Sequence, residues 1–377
     1  MTKSLRFVLM VALLAGGASV SGWTKPPRPA QAPAAAALPD KLSDVEFWAL
    51  EQQISEPGGY FRITDNFTSN EPEIGEIFTM IRERGVKGGV YMGVGPEQNL
   101  TYIAAVKPVM AFVCDIRRQA VMQHLMFKAV FELSPDRADF ISLLFSKPRP
   151  GGLDRTTPIQ KMWDAFTPVA TDVPLAKKNA ARIVDQLTKT HKFALSAEES
   201  SELSSVIEAF IDYGPAITTR GGGPGAGRGG NNVSFADLTG WSLDASGQPQ
   251  SFLSSDENYQ TVKALQDKNL VVPVSGDFGG PKAIRAIGAY LHQHGGAVSA
   301  FYVSNVEQYL FQDGHDRAFY DNVATLPVND ASVFIRPYSL RRGFSGAPQP
   351  LCGIAGFLKA VAAGRVMTNN DALACGH

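Results

Sequence analysis

Cysteine is scarce in this chain, three in 377 residues, and neither a CxxC pair nor an HExxH helix occurs. Without paired thiolates or closely spaced histidines a structural or catalytic zinc centre is not expected. The six histidines, among them His124 and His191, are scattered, and those two fall in helical contexts where a solvated or core-edge imidazole is the ordinary outcome. Charge is also sparse, 19% of residues, and the net charge is -1. No basic field exists to gather a phosphate backbone, so a nucleic-acid partner has no electrostatic support. The glycine run TTRGGGPGAGRGGNN at 218–232 is followed by no GKS or GKT and preceded by no strand. It reads as a surface loop or a lid over a pocket and not as a P-loop.

What is present is a large apolar content, 44%, sufficient for a substantial core. Lys3 and Arg6 precede an uncharged run with its apolar heart at Phe7 to Ala15, the pattern of an export signal or, if uncleaved, of a membrane anchor. Either outcome places the globular part outside the cytoplasm, with the N-terminal segment as its only membrane contact; a leader without function would leave the protein cytoplasmic. No cysteine follows the run, which argues against a lipid anchor. Residues 24–40 form a Pro/Ala spacer, and folding is expected to begin near Lys41. Cys114 lies in an apolar strand as a small hydrophobe. Cys352 and Cys375 would bridge in an oxidising compartment if their Cα geometry allows it.

Periodicity then organises the chain. Residues 42–54 and 72–84 read as helices, and 89–92 as a strand that enters a glycine turn and a helix to about Val106. Residues 109–114 form a second strand ending at Asp115, and 117–133 a helix with Ser134 as N-cap of the next. A helical block follows, with Ser196 and Glu199 spaced as a capping box. Strands resume at 270–275, 298–303 and 332–336. Short Val/Ile/Tyr-rich strands alternating with helices mean an α/β fold with a doubly wound, mostly parallel sheet and an inserted helical subdomain. The expected organisation is a leader at 1–23, the spacer at 24–40, a first Rossmann-like part at 41–133, the insertion with its glycine loop at 134–256, a second part at 257–345 and a tail at 346–377.

In such a sheet ligands sit beyond the carboxyl ends of the strands. Gly93 and Gly95 offer backbone approach, and Asp115, 20 residues past Gly95, stands where an acid accepts from ribose hydroxyls. The third glycine of a dinucleotide fingerprint is missing: Gln98 occupies its place, and Glu97 is a poor neighbour for pyrophosphate at a helix start. A phosphate-free sulfonium nucleoside fits better than NAD.

GVYMGVGPEQNLTYIAA, AFVCDIRR, VVPVSGDFGG and AFYVSNVEQYL, in that order, resemble the strand-end motifs of class I S-adenosylmethionine-dependent methyltransferases. With SEPGGYF and DNFTSNE the chain is similar to a family of uncharacterised bacterial proteins with a methyltransferase-like fold. The resemblance spans roughly residues 45–337 and implies S-adenosylmethionine as cofactor. It places Gly93 and Gly95 at the methionine moiety, Asp115 on ribose, Asp277 and Phe278 beside adenine, and Ser304 with Asn305 at the mouth. Tyr91 and Glu97 stand where methyltransferases usually carry an acid and a glycine, so the amino-group contact passes to Glu97 or Glu71. Tyr60, Asn66, Asn70 and Glu71 either fold over the ligand or satisfy their own turn. Arg117, Tyr309 and His315 are further candidates for the pocket wall. No catalytic residue is assigned, and the methyl acceptor is unread. An exported non-catalytic binding protein and a nicotinamide-dependent oxidoreductase are the alternatives.

Overall fold

The computed structural model describes residues 37–61, 65–221, 233–337 and 350–376. The expected leader falls in 1–36, outside the described residues, as do 222–232 of the glycine run. Among the described residues no helix is long and apolar enough to cross a membrane.

The chain opens with α1 (Asp44–Ile54) and α2 (Ile74–Glu83), then runs through β1 (Val90–Gly93), α3 (Gln98–Val106), β2 (Met110–Asp115) and α4 (Arg118–Leu133). A helical block follows: α5 (Arg137–Phe145), α6 (Ile159–Phe166), α7 (Val173–Asp185) with a π-turn at Gln186–Thr190, α8 (Ala197–Tyr213) and α9 (Phe235–Gly240). The strand series resumes with α10 (Asp256–Gln266), β3 (Val271–Ser275), α11 (Ala283–Gln293), β4 (Val298–Tyr302), α12 (Val306–Asp313), α13 (Asp316–Val323) and β5 (Val328–Ile335). It closes with β6 (Leu351–Gly353), α14 (Ile354–Ala362) and α15 (Asn369–Leu373). The strands form one sheet in the order β3-β2-β1-β4-β5-β6, parallel except for β6 against β5. Every residue of β1, β2 and β3 is buried, as expected of strands covered on both faces.

Local chemistry explains the helix boundaries. Ser43 with Glu46 and Ser196 with Glu199 form full capping boxes, the second as the spacing predicts. Ser134 is not the N-cap of α5. It ends α4, and its carbonyl accepts from Tyr259 Oη at 2.8 Å, while Asp136, whose carboxylate accepts from Asp139 N, caps α5 instead. Asp136 directly precedes the first residue of α5, so its side chain and not that of Ser134 reaches the N3 amide.

Two further parts are more closely integrated than the periodicity could show. The helical block between β2 and β3 shares the main core, with α8 packed along α4 and Phe210 in contact with Phe127. The expected tail adds strand β6 and helix α14 to the sheet edge, and Cys352 is bridged to Cys375 with their Cα atoms 5.7 Å apart. A three-residue strand is too short for alternation to reveal it. His191 is more engaged than a core-edge imidazole: its ring nitrogens lie 2.8 Å from Asp44 and 2.6 Å from Glu132.

The β5 edge is fastened by a buried ion pair. Arg336, 1% exposed, directs Nε and Nη2 to Glu307 at 2.5 and 2.8 Å, between the rings of Phe334 and Phe357. Tyr320 Oη adds a bond to the same carboxylate at 2.9 Å. Removing one partner strands the other charge in the core. Glu307→Gln is therefore expected to cost about 3–5 kcal/mol, read as a fall in the urea midpoint, whereas the double change to Glu307→Met with Arg336→Met is expected to cost less. Equal midpoints for wild type and Glu307→Gln would contradict this role for the pair.

Candidate functional site

The sheet order reverses at β1, whose neighbours β2 and β4 lead their connections in opposite directions. A crevice opens beyond the carboxyl ends at such a point. It is occupied here by a cavity of about 210 Å³. Tyr60, Asn66, Asn70, Glu71, Gly95, Asp115, Arg117, Asp277, Phe278, Ser304, Asn305, Tyr309 and His315 all line it. Gly93 and Glu97 do not.

Two segments before β1 roof this crevice, and their composition explains how. In SEPGG, Ser55 Oγ accepts from Ser275 N at 3.0 Å, and Glu56 accepts from the N–H groups of Lys282 and Ala283 at 2.8 Å each, capping α11. Gly59 N donates to Ile116 O at 2.8 Å, and a Cβ at Gly59 would lie 2.6 Å from Ile116 Cγ1. Only glycine lets the chain pass this close to the end of β2. Tyr60 and Phe61 are thereby carried to the rim, where Phe61 meets Tyr309 edge-on at 5.0 Å. In DNFTSNE, Phe67 N donates to Thr219 O, and Gln123 Nε2 donates to Phe67 O at 2.6 Å. The segment is thus held by distant partners and is more than a self-satisfied turn.

The glycine turn is built from within. Asn99 Nδ2 lies 2.9, 3.0 and 2.8 Å from the carbonyls of Val94, Gly95 and Pro96, and Tyr91 Oη donates to Asn99 Oδ1 at 2.9 Å. His124 Nε2 lies 2.9 Å from Gly95 O, so this nitrogen carries the proton. Burial holds the imidazole below its usual range, hence neutral at pH 7. Gly93 serves this staple and not the cavity: a Cβ there would lie 1.9 Å from Asn99 Oδ1. Gly95, with φ of 81°, does face the cavity.

Glu97 is buried behind the cavity, where both carboxyl oxygens lie 3.1 Å from Ser69 N. Burial pushes its carboxyl up to about 8. Ser69 Oγ in turn accepts from Glu71 N at 3.1 Å. Glu71 is 3% exposed and accepts from Ser304 Oγ at 2.6 Å and Tyr302 Oη at 2.7 Å. Burial lifts it to about 7, the two hydroxyls pull it down, and Glu73 raises it again. No lysine, arginine or histidine among the described residues forms an ion pair with it. Ser304 holds a left-handed φ of 48°, a conformation costing roughly 1–2 kcal/mol for a side-chain-bearing residue, while its hydroxyl reaches Glu71.

On the opposite wall Asp115 and Arg117 form a fork: Arg117 Nε donates to Oδ1 at 3.0 Å and Nη2 to Oδ2 at 2.8 Å, with Arg117 N also on Oδ1. Oδ2 keeps a lone pair for a ligand hydroxyl. Asp277 Oδ1 accepts from Gly279 N at 2.9 Å. The Phe278 ring is stacked on Phe319 at 5.3 Å and packs against Phe301, so its aromatic face is committed to the core. The cavity shares Tyr60, Phe61 and Arg117 with an open polar groove of about 1050 Å³ beside α8.

Gln98, Asn99, His124 and Tyr302 were not among the residues expected to form the site. Gln98 and Tyr302 find partners distant in the chain, Asn99 ties the turn just ahead of its own helix, and His124 reaches the same turn from α4. If Gly93 is reserved for the staple, Gly93→Ala should destabilise the fold by about 1–3 kcal/mol, the range for an overpacked site, even without ligand. A thermal midpoint equal to wild type would refute that assignment.

A family model described as a domain of unknown function (DUF7790) matches residues 66–154 and 239–350, more than half of the chain. The matched stretches hold β1 to β5 and all the cavity-lining residues discussed above except Tyr60, Phe61 and Thr219. Residues 155–238, which include α6 to α8, fall between them. No curated protein matches the chain.

Proposed function

This chain belongs to the DUF7790 family, and from its own cavity we propose that it binds S-adenosylmethionine or a related sulfonium nucleoside, the methyl donor for transfer to an acceptor. The observation that carries the reading is Glu71, a buried carboxyl at the switch point whose partners among the described residues are two hydroxyls and no cation. A buried carboxylate left unpaired is costly, and a bound sulfonium or ammonium would offset that cost.

The strand order β3-β2-β1-β4-β5-β6 supports the finer, Rossmann-like description of the fold, since doubly wound nucleotide-binding sheets share it. Asp115, with its free lone pair beside the Arg117 fork, is suited to a ribose diol. Asp277 stands at the end of β3, next in line for the base. Methyl transfer requires little beyond alignment of a nucleophile with the sulfonium and a nearby proton acceptor. Tyr309 and His315 at the rim have the chemistry for the second role. For a dinucleotide, by contrast, the start of α3 would have to receive pyrophosphate beside Glu97, and a carboxyl there disfavours an anion. That weakens the nicotinamide oxidoreductase alternative.

One observation favours the second reading, an exported binding protein without catalysis. The Cys352–Cys375 bridge is of a kind sustained in oxidising compartments, away from cytoplasmic cofactor pools.

Calorimetric titration with S-adenosylmethionine, S-adenosylhomocysteine and NAD tests the proposal, with heat expected from the first two. A cation favours ionised Glu71, so affinity for S-adenosylmethionine should rise with pH as the carboxyl loses its proton around pH 7. Between pH 6 and pH 8 the gain should approach about tenfold, and Glu71→Gln should abolish most of it. Absence of heat with both adenosyl compounds would end the nucleoside reading.

A further inference from the structure

Gln98 is a cavity-lining side chain with one amide atom bonded and the other left without a partner. It is 3% exposed, its Nε2 donates to Tyr302 Oη at 2.8 Å, and its Oε1 is buried with no hydrogen-bond partner among the described residues. The direction of the chain accounts for this. Tyr302 spends its proton on Glu71 Oε2, so its oxygen must receive the amide N–H, which turns the amide oxygen away from Tyr302. Gln98 lines the cavity with Glu71 two hydrogen bonds away. The hydrogen-bonding capacity left unmet at this end is therefore that of acceptors: a carboxamide oxygen and the remaining lone pairs of a carboxylate. The donors that border it, Tyr302 and Ser304, are already directed at Glu71.

Charge around the whole cavity leans the same way. Among the described residues, Glu71, Asp115, Asp277 and Asp313 line it against one guanidinium, Arg117, which is itself committed to Asp115. An occupant with an amino group fits this array, because a primary ammonium offers three N–H donors and a positive charge together. A carboxylate on the same carbon would meet this acidic lining unfavourably.

We infer that Gln98 and Glu71 form a primary-ammonium subsite, and that the cavity selects an aminoalkyl cation lacking an adjacent carboxylate over the amino-acid form of the same nucleoside. The inference rests on the cavity being a cation site, as in the proposed function, but it does not need the ligand to be a nucleoside.

The experiment titrates the full-length protein with four probes: S-adenosylmethionine, its decarboxylated form, 5′-methylthioadenosine and 1,4-diaminobutane. The decarboxylated sulfonium should bind about tenfold or more tightly than S-adenosylmethionine, with methylthioadenosine weakest of the nucleosides. Gln98→Leu should remove most of the advantage of the decarboxylated form and leave methylthioadenosine unchanged, whereas Gln98→Glu, which keeps the acceptors, should preserve it. Circular dichroism of both variants checks the fold, and the Gln98→Glu arm decides if Gln98→Leu does not fold. Equal or tighter binding of S-adenosylmethionine overturns the inference, as does loss of the preference in a folded Gln98→Glu. If no nucleoside binds, the nucleoside reading fails by itself. The ammonium subsite then stands on the diamine, upheld if the diamine binds wild type and Gln98→Glu, and overturned if it binds neither.

Discussion

One side-chain amide holds the crevice at the switch point in shape. Asn99 Nδ2 reaches three successive carbonyls of the turn after β1, and Tyr91 fixes its other end. A turn tied by its carbonyls from below has little freedom to collapse into the cavity above it. Gly93 exists in this chain to leave room for that amide, and His124 extends the same support from α4. The position of Gly95, and through it the wall shared with Asn66 and Gln98, follows from this staple.

Above the turn the site is organised around charge. Asp115 is matched by the Arg117 fork, and Arg118, its neighbour, pairs with Glu51 and Glu199 outside the cavity. Among the described residues Glu71 and Glu97 have only neutral hydrogen-bond donors, linked to one another through Ser69. Two carboxyls held near neutrality beside a small cavity are an unusual expense for a core, since apolar residues would pack there at lower cost. In the proposed reading a bound cation offsets that cost. The same reasoning unites the unsatisfied oxygen of Gln98 with the acidic lining.

Much of the fold was legible along the chain because it depends on local chemistry. Periodicity located β1 to β5 and the long helices to within a few residues, and the Ser196–Glu199 box announced α8. Thirteen of the fifteen residues singled out along the chain lie around one cavity; for Gly95, Asp115 and Asp277 the reason is that glycine turns and strand-terminal acids fall at the carboxyl edge of a parallel sheet. The failures have equally local causes. Ser134 lost its cap role to Asp136, which directly precedes α5, β6 was too short to show alternation, and Gly93 looked like Gly95 although its open side belongs to Asn99.

Composition and spacing determined the α/β class, the mostly parallel strand series and the glycine turn after β1, since hydrophobic period and turn chemistry act over a few residues. The sequence also carried the absence of a metal cluster motif and of a basic face. Tertiary structure alone decided the electrostatic character of the site. Glu71 and Ser304 are 233 residues apart, and Gln98 and Tyr302 are 204 apart. A carboxyl acquires a shifted proton affinity, and an amide an unsatisfied oxygen, only when such distant groups are brought together and water is excluded around them.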